Sequence, residues 1–178
     1  LRSYMYASLP WIDAPTDRAI KGSLYKIANQ ANVKFIIRGN DFRSEGKQPR
    51  EWTYTDHKQL KYVQKKFGSK VPLKTFPKLT NSELLYYGYF KKIKEIRPFY
   101  FIDYQKQKAK KFLMENFAWE DYGGHHHENL FTKFTMAYWL PKKFGIDKRI
   151  INLSAQVVSG AITREQALEE ITKDFDTN

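Results

Sequence analysis

The chain has 178 residues, a formal net charge of +12 and no cysteine. This length is enough for one domain with a hydrophobic core, or for one lobe with a helical appendage. The lack of cysteine excludes disulfides and Cys-ligated metals within the chain, and it fits a reducing, cytoplasmic setting. No apolar run reaches the roughly 20 residues that cross a bilayer, so a soluble protein with no membrane span is expected.

The positive charge is concentrated in the first two thirds of the chain. Residues 1–120 hold 24 Lys and Arg against 11 Asp and Glu, whereas residues 121–178 hold 7 against 8. A basic field attracts phosphates of any kind, so nucleic acid, ATP, a nucleotide-linked sugar and an anionic membrane surface all fit the charge. The first residue is Leu1, which is not Met, so the chain is expected to begin after processing or partway through a longer gene product.

The first predicted elements are a helix and a buried strand. Residues 13–31 carry apolar side chains at helical spacing, with Asp13 or Thr16 as the capping residue and Pro15 in the first turn. The apolar side chains expected to form the buried face of this helix are Ile20, Leu24, Ile27 and Ala31. Residues 33–37 then form a β-branched and aromatic run, which is typical of a buried strand that leads into a loop.

Helices dominate the rest of the predicted chain. The pattern indicates a helix near residues 56–67, and a capping box at Thr80 and Glu83 begins another that continues through Leu85, Tyr89 and Ile93. A helix after Asp103 is expected to bury Ala109, Phe112 and Leu113 and to expose its lysines, which are Lys106, Lys108, Lys110 and Lys111. Three more helices are predicted over residues 128–140, 148–159 and 163–173, the last opening with a capping box at Thr163 and Gln166.

This pattern predicts a helix-rich α/β fold with a single convincing strand. One strand cannot form a sheet, so its neighbours are expected from sequence outside the chain or from another chain. The prediction is therefore a piece of an α/β domain with a helical extension.

Two polar turns are candidates for chemistry. Residues 38–46 follow the predicted strand, where ligands bind in open α/β sheets, and Gly39 would let the backbone approach a nucleotide closely; an ordinary polar loop is the alternative. Residues 121–128 contain two glycines, three histidines and a glutamate, which suit phosphate contact, proton relay or metal binding. Adjacent residues point in different directions, so the three histidines cannot easily face one ion, and no metal site is predicted.

Aromatic and basic residues alternate between residues 86 and 104. Such a mixture can stack bases and contact phosphates, but aromatic side chains at helical spacing more often form core. The Ser-His-Asp spacing, the His-Glu-x-x-His helix and the Walker phosphate loop are all absent from the sequence.

Taken together, three stretches resemble the N-acetyl sugar amidotransferases. The match covers nearly the whole chain, and it is most specific in its last third. The stretches are residues 12–17 with 24–28, residues 39–46, and residues 121–124 with His126, Glu128, 131–134, 143–149, 153–154, 159–160 and 163–165.

The resemblance implies the carboxy-terminal part of a PP-loop ATPase, on an incomplete Rossmann-like sheet of the adenine nucleotide alpha hydrolase-like kind. Residues 1–120 would belong to the PP-loop domain, and residues 121–178 would form a helical C-terminal extension. Such enzymes are thought to activate the oxygen of a sugar acetamido group with ATP and Mg²⁺, so that ammonia from a glutaminase subunit leaves an acetamidino group. The products are nucleotide-linked sugars for lipopolysaccharide or O-antigen.

The resemblance also assigns candidate site residues. On the cofactor-binding, adenine-nucleotide side they are Gly39 and Asn40, with Thr16 and Asp17 nearby. For catalysis on the substrate or its phosphates they are His126, Glu128 and Lys133. The two polar turns are expected to come together and form half of a pocket.

Two departures limit the assignment. The Ser-Gly-Gly-x-Asp-Ser phosphate loop and the cysteine pairs of the family are absent, so the chain alone is expected to be inactive. The family pattern has Lys where this chain has His125, and an unperturbed His is mostly uncharged at neutral pH. The alternatives are an RNA-modifying PP-loop enzyme, although nucleic acid is not the expected partner, and a non-catalytic helical interaction module.

Overall fold

A computed structural model of the protein describes residues 1–53, 55–69, 72–124 and 127–173. The chain forms two units, of which the first comprises residues 1–38 and 49–96 and the second residues 39–48 and 97–178. Within the described ranges, every helix is too short or too polar to span a lipid bilayer. Helices predominate in both units, beside one small parallel sheet, which agrees with the predicted helix-rich α/β class.

The first unit contains two longer helices, several short ones and the sheet. Its helix α2 confirms the first predicted helix, and the helix predicted near residues 56–67 is confirmed as α5, capped by Asp56. Its elements are α1 (Arg2–Tyr6), α2 (Ala14–Gln30), β1 (Phe35–Ile37), α4 (Arg50–Thr53), α5 (His57–Phe67), α6 (Asn81–Leu85), a π-helical turn (Tyr86–Phe90) and β2 (Lys94–Ile96). Helix α3 (Phe42–Glu45) belongs to the second unit.

The sheet pairs β1 with β2 in parallel, in a register that sets Ile36 opposite Glu95. The prediction that every neighbour of the first strand lies outside the chain was therefore wrong, as was the helical assignment of Ile93. The predicted capping box at Thr80 is confirmed, but the helix ends at a π-turn and the backbone reverses at Lys92, whose φ is 57°. The strand β2 has only three residues, so it depends on pairing with β1. The local sequence pattern around Lys94–Ile96 does not reveal that pairing.

Helix α2 buries a different face from the one that its apolar spacing predicts. Ile20 is 55% exposed and Leu24 and Ile27 are also exposed, whereas Tyr25 and Ala28 pack into the core. The Tyr25 hydroxyl donates to Glu95 Oε1 over 3.1 Å, so burial of the large ring leaves its polar atom satisfied. Asp13 stands at the N-cap of α2, as predicted, but its side chain makes no capping hydrogen bond.

The second unit is helical. The three predicted tail helices are confirmed, and the first of them contains a π-helical turn. The elements of the second unit are α3 (Phe42–Glu45), a 3₁₀ turn (Pro98–Tyr100), α7 (Lys106–Phe117), α8 (Leu130–Phe134), the π-helical turn (Thr135–Trp139), α9 (Leu140–Phe144), α10 (Lys148–Val158) and α11 (Arg164–Thr172).

Helix α7 orients its side chains against the sequence prediction. Phe112 and Leu113, predicted to be buried, are exposed, and Ala109 is only half-buried. Lys106 and Lys110, predicted to be exposed, are instead partly buried. Lys110 Nζ donates to Asp121 Oδ2 over 2.6 Å, and both lysines line a cavity that is described below.

Helix α11 depends on the predicted capping box at Thr163, which the structure confirms. The Gln166 amide donates to Thr163 Oγ1, and Thr163 donates its own amide to the Gln166 side chain over 2.8 Å. We expect Thr163→Ala to lower the free energy of unfolding by about 1 kcal/mol, because a helix of nine residues loses one of its few terminal partners. Urea denaturation measures this, with Ser154→Ala, an exposed hydroxyl on α10, as the control. Equal losses in the two variants would contradict a capping role.

Candidate functional site

The second unit contains a cavity of about 660 Å³, which is within the usual range for a small-molecule site. Helix α7 lines one part of it, helices α10 and α11 line another, and Gly123, Gly124 and His127 add to the described wall. The cavity is thus formed by elements that are distant in sequence.

The wall of the cavity carries a surplus of positive charge. Five cationic side chains line it, and two carboxylates partly offset them, which leaves a formal surplus of three charges among the described residues. The cations are Lys106, Lys110, Lys148, Arg149 and Lys173, and the carboxylates are Glu169 and Glu170. Three of these cations are already paired with carboxylates: Lys110 with Asp121, Arg149 with Asp147 and Lys173 with Glu170.

Helix α10 turns polar side chains inward at the cavity. Lys148 is 7% exposed and Asn152, one turn later, is 9% exposed, whereas Ile150 and Val158 are exposed to solvent. A buried lysine is rare unless it is paired or has a ligand to meet, because burial penalises its charge. Helix α10 therefore presents polar side chains to the cavity and apolar side chains to solvent.

Two lysines of α7 reach the cavity one helical turn apart. Burial lowers the pKa of Lys106, and the neighbouring positive charge of Lys110 lowers it further. Lys110 donates to Asp121, and this hydrogen bond lowers the pKa of the Asp121 carboxyl. Lys106 thus stands in an environment that disfavours its own charge, and an anion in the cavity would relieve that penalty.

Arg149 is fixed in place by two elements. Its guanidinium donates to both carboxylate oxygens of Asp147, with Nη2 2.9 Å from Oδ2, and Nη1 donates to the Lys173 carbonyl over 2.6 Å. A second bond, to the carbonyl of Ile171, joins the start of α10 to the end of α11. The guanidinium therefore joins the start of α10 to the residues at the end of α11.

The histidine-bearing turn contributes its glycines and one ring. Gly123, Gly124 and His127 line the cavity, and a Cβ on Gly124 would lie 2.1 Å from His127 Cε1. An alanine at position 124 would therefore require the His127 ring to move. His125 and the candidate His126 lie outside the described residues.

The other two predicted catalytic residues lie outside the cavity lining. Glu128 is exposed beside Tyr122, whose pKa is raised by burial and then by the Glu128 charge. Lys133 is half-buried on α8. Their catalytic roles stay predictions.

The loop after β1 reaches a smaller neighbouring cavity of about 40 Å³, which Asp41 and Arg43 line. The two cavities share the lining residues Lys106, Gln107, Gln156 and Ile162. The two polar turns therefore border adjoining concavities in one unit, although Gly39 and Asn40 line neither among the described contacts.

The predicted nucleotide-side residues are distributed over both units. Gly39 is exposed, and a Cβ there would meet only Phe99 at an ordinary 3.9 Å, so the fold itself does not require glycine at this position. Within the described residues, Asn40 Oδ1 is buried without a hydrogen-bond partner. Thr16 and Asp17 are in the first turn of α2 in the first unit, where Asp17 accepts from Trp11 Nε1.

Sequence reasoning missed the cationic residues of the cavity. The available signals were the one-turn spacing of Lys106 and Lys110, and the matching spacing of Lys148, Asn152 and Gln156 along α10. Polar residues at helical spacing usually form a solvated face, so these signals carry weight only once the packing is known.

Comparison with known protein families gives a match over the last part of the chain. Residues 128–178 match the family model described as LPS biosynthesis protein WbpG-like, C-terminal domain. The last part of the chain is therefore similar to a domain of LPS biosynthesis proteins. No curated protein and no solved structure matches.

Proposed function

We propose that the chain is part of an ATP-dependent amidotransferase that converts a sugar acetamido group to an acetamidino group during lipopolysaccharide or O-antigen biosynthesis. One observation carries the proposal: eleven of the 17 described residues that line the cationic cavity lie in the segment that matches the LPS biosynthesis domain. A domain of this family thus supplies most of a site that suits phosphorylated ligands.

The proposed reaction uses ATP to turn an amide oxygen into a leaving group. The acetamido oxygen displaces pyrophosphate from ATP, ammonia then adds to the amide carbon, and AMP departs with the oxygen. In this chain, the cavity cations would bind anionic phosphate groups and hold the sugar in position. The residues Glu128, Lys133 and His126 remain the proposed catalytic groups.

We assign ATP and Mg²⁺ to a parent protein that carries a Ser-Gly-Gly-x-Asp-Ser loop, because that loop is absent from these 178 residues. Gly39, Asn40, Thr16 and Asp17 are proposed for the adenine-nucleotide side of such a parent. The helix α2, which is followed by strand β1 in a parallel sheet with β2, supports an α/β domain. A glutaminase partner would supply the ammonia. Because the proposed reaction uses ATP and a nucleotide-linked sugar, we propose that it takes place in the cytoplasm.

The test measures pyrophosphate release by the full-length gene product that contains this chain. We expect sustained release, over many turnovers, only when ATP, ammonia and a nucleotide-linked acetamido sugar are all present. Uridine diphosphate glucose, which lacks the acetamido group, is the matched control substrate and should give background release.

Two results would overturn this function. Equal release with the glucose nucleotide would show that no acetamido group is activated. Release driven equally well by tRNA would instead favour an RNA-modifying PP-loop enzyme.

A further inference from the structure

We propose that the first unit docks on an anionic lipid surface through an exposed turn of aromatic and basic residues. This turn, called the aromatic turn below, spans residues 85–92 and presents Leu85, Tyr86, Tyr89, Phe90, Lys91 and Lys92. Lipid docking would not depend on the amidotransferase reaction proposed above, because the turn lies outside the cavity lining.

The aromatic turn is fixed to the core of the first unit. Tyr87, within the turn, is buried, and its ring centroid lies 5.8 Å from that of Tyr25. Ile93, directly after the turn, belongs to the same core cluster, and its amide donates to the Tyr87 carbonyl over 3.0 Å. The exposed side chains are therefore carried on an ordered backbone, so a partner that covers them has little backbone entropy to remove.

The exposed side of the turn is apolar. Leu85, Tyr89 and Phe90 are each at least 70% exposed. The centroid of the Phe90 ring lies 5.8 Å from that of Tyr86 and 5.2 Å from that of Tyr89, so the three rings form one continuous patch. A contiguous apolar patch on the surface indicates an interaction site, whereas scattered apolar side chains do not.

Lys91 and Lys92 add positive charge to the same turn. The two carboxylates nearest in sequence are engaged elsewhere, Glu83 in the capping box of α6 and Glu95 in an ion pair with Lys21. Among the residues that the structure describes, no carboxylate pairs with either of the two lysines. The partner of this turn should therefore combine apolar groups with negative charge.

The first unit as a whole carries nearly all the net charge of the chain. Its sequence holds 17 Lys and Arg against 6 Asp and Glu, whereas the second unit holds 14 against 13. Each lysine or arginine close to an anionic leaflet strengthens binding to it. A second copy of the chain would instead bring lysines against lysines, so the charge disfavours self-association through this turn.

The ring faces favour lipid over single-stranded nucleic acid. Lys91 Nζ lies over the Tyr86 ring, 5.5 Å from its centroid, and Lys92 Nζ lies over the Tyr89 ring at 4.9 Å. Tyr89 and Phe90 meet edge to face, at 81°. Bases stack on flat, free ring faces, whereas at a bilayer interface tyrosines lie at the level of the headgroups and lysines extend to the phosphates. The turn has the second arrangement.

The experiment is co-sedimentation of the 178-residue chain with lipid vesicles. Vesicles of phosphatidylcholine mixed with phosphatidylglycerol are compared with vesicles of phosphatidylcholine alone. We expect binding to the anionic vesicles that is about tenfold or more tighter and that weakens with added salt, because salt screens exposed charges.

A pair of double variants tests the lysines. Lys91→Gln combined with Lys92→Gln should weaken binding to anionic vesicles by about tenfold or more. The matched control combines Lys108→Gln with Lys111→Gln, which removes the same charge from two exposed lysines of α7 and should weaken binding by less than about twofold.

A second pair of variants tests the apolar patch. Phe90→Ser should weaken vesicle binding by about tenfold, because the ring no longer enters the interface. Phe117→Ser, which removes another exposed ring, is the control and should bind as the parent chain does. Both rings are exposed, so both variants should melt at the temperature of the parent chain, and weaker binding then reports the surface and not the fold.

A fluorescent label locates the contact. The chain has no cysteine, so Gly88→Cys provides a single attachment point in the aromatic turn, where a Cβ meets nothing within 4 Å. A polarity-sensitive label at this position should shift its emission to shorter wavelength on anionic vesicles. The same label on Ser154→Cys, at an exposed position of α10, should not shift.

Equal weakening by the two lysine pairs, or an unshifted label at position 88, would refute lipid docking. Binding of oligothymidylate that is tighter than vesicle binding and is lost in Phe90→Ser would reassign the turn to single-stranded nucleic acid. A dimer abolished by Phe90→Ser would reassign it to a second copy. Phe90→Ser should weaken vesicle binding by the full-length gene product equally, and no effect there would mean that another part of the parent covers the turn.

Discussion

Replacing Gly46 with alanine is expected to destabilise the second unit by roughly 2–5 kcal/mol. Gly46 follows α3 with a φ of +68°, and a Cβ there would lie 2.7 Å from Ile151 Cγ2 and 2.8 Å from the Ile151 carbonyl oxygen. The left-handed conformation costs alanine about 1–2 kcal/mol, and overpacking against the backbone of α10 adds about 1–3 kcal/mol.

The matched control for Gly46→Ala is Gly145→Ala. Gly145 has nearly the same φ, +64°, but a Cβ there meets nothing within 4 Å. Gly145→Ala should therefore lose stability only through the left-handed backbone conformation. The difference between the two losses of stability gives the effect of the contact between α3 and α10. Hydrogen exchange of peptides covering both helices measures the effect locally.

The result also bears on the cavity, because α10 supplies Lys148, Arg149 and Asn152 to its wall. We expect Gly46→Ala to speed exchange in α10 and thereby to disturb the wall of the cavity. Equal exchange in the Gly46 and Gly145 variants would show that close packing of α3 does not position this helix.

Gly22→Ala is expected to destabilise the first unit by up to about 2 kcal/mol, although alanine is the better helix former. A Cβ at this position in α2 would lie 1.9 Å from the carbonyl oxygen of Pro77, so a backbone segment has to move. Overpacking costs about 1–3 kcal/mol, while the gain in helix propensity is about 1 kcal/mol, and the clash therefore wins.

Gly88→Ala is the control for Gly22→Ala, since a Cβ at Gly88 meets nothing within 4 Å. Urea denaturation followed by circular dichroism should show a lower midpoint for the Gly22 variant only. A midpoint for Gly22→Ala that equals or exceeds that of the parent chain would mean that α2 does not approach Pro77 so closely.

The two units differ in how their cores are made. In the first unit, Tyr25, Ala28, Ile36, Leu79, Tyr87 and Ile93 form one apolar cluster. In the second unit, polar side chains of α10 and α7 point into the cavity while apolar residues such as Phe117, 66% exposed, face outward. Departures from the usual polarity are expected at functional sites, which is consistent with a ligand-binding role for the second unit.

The sequence by itself determined the elements whose signals are local. The capping boxes at Thr80 and Thr163 were readable because a helix start depends on residues three apart, and the longer helices because their periodicity lies within one segment. The same local information located the two polar turns and, through the family resemblance, the biosynthetic class that the match over residues 128–178 supports.

Only the tertiary structure decided which face of each helix is buried. Ile20 and Phe112 are exposed and Lys148 is buried because burial depends on what packs against a helix, and residues distant in sequence supply that partner. The strand β2 and the cavity also depend on contacts between residues distant in sequence. The strand β1 pairs with Lys94–Ile96, and the cavity is lined by α7, α10 and α11. Hydrophobic periodicity records what a segment can bury, whereas long-range packing and the desolvation of charged groups determine what it does bury.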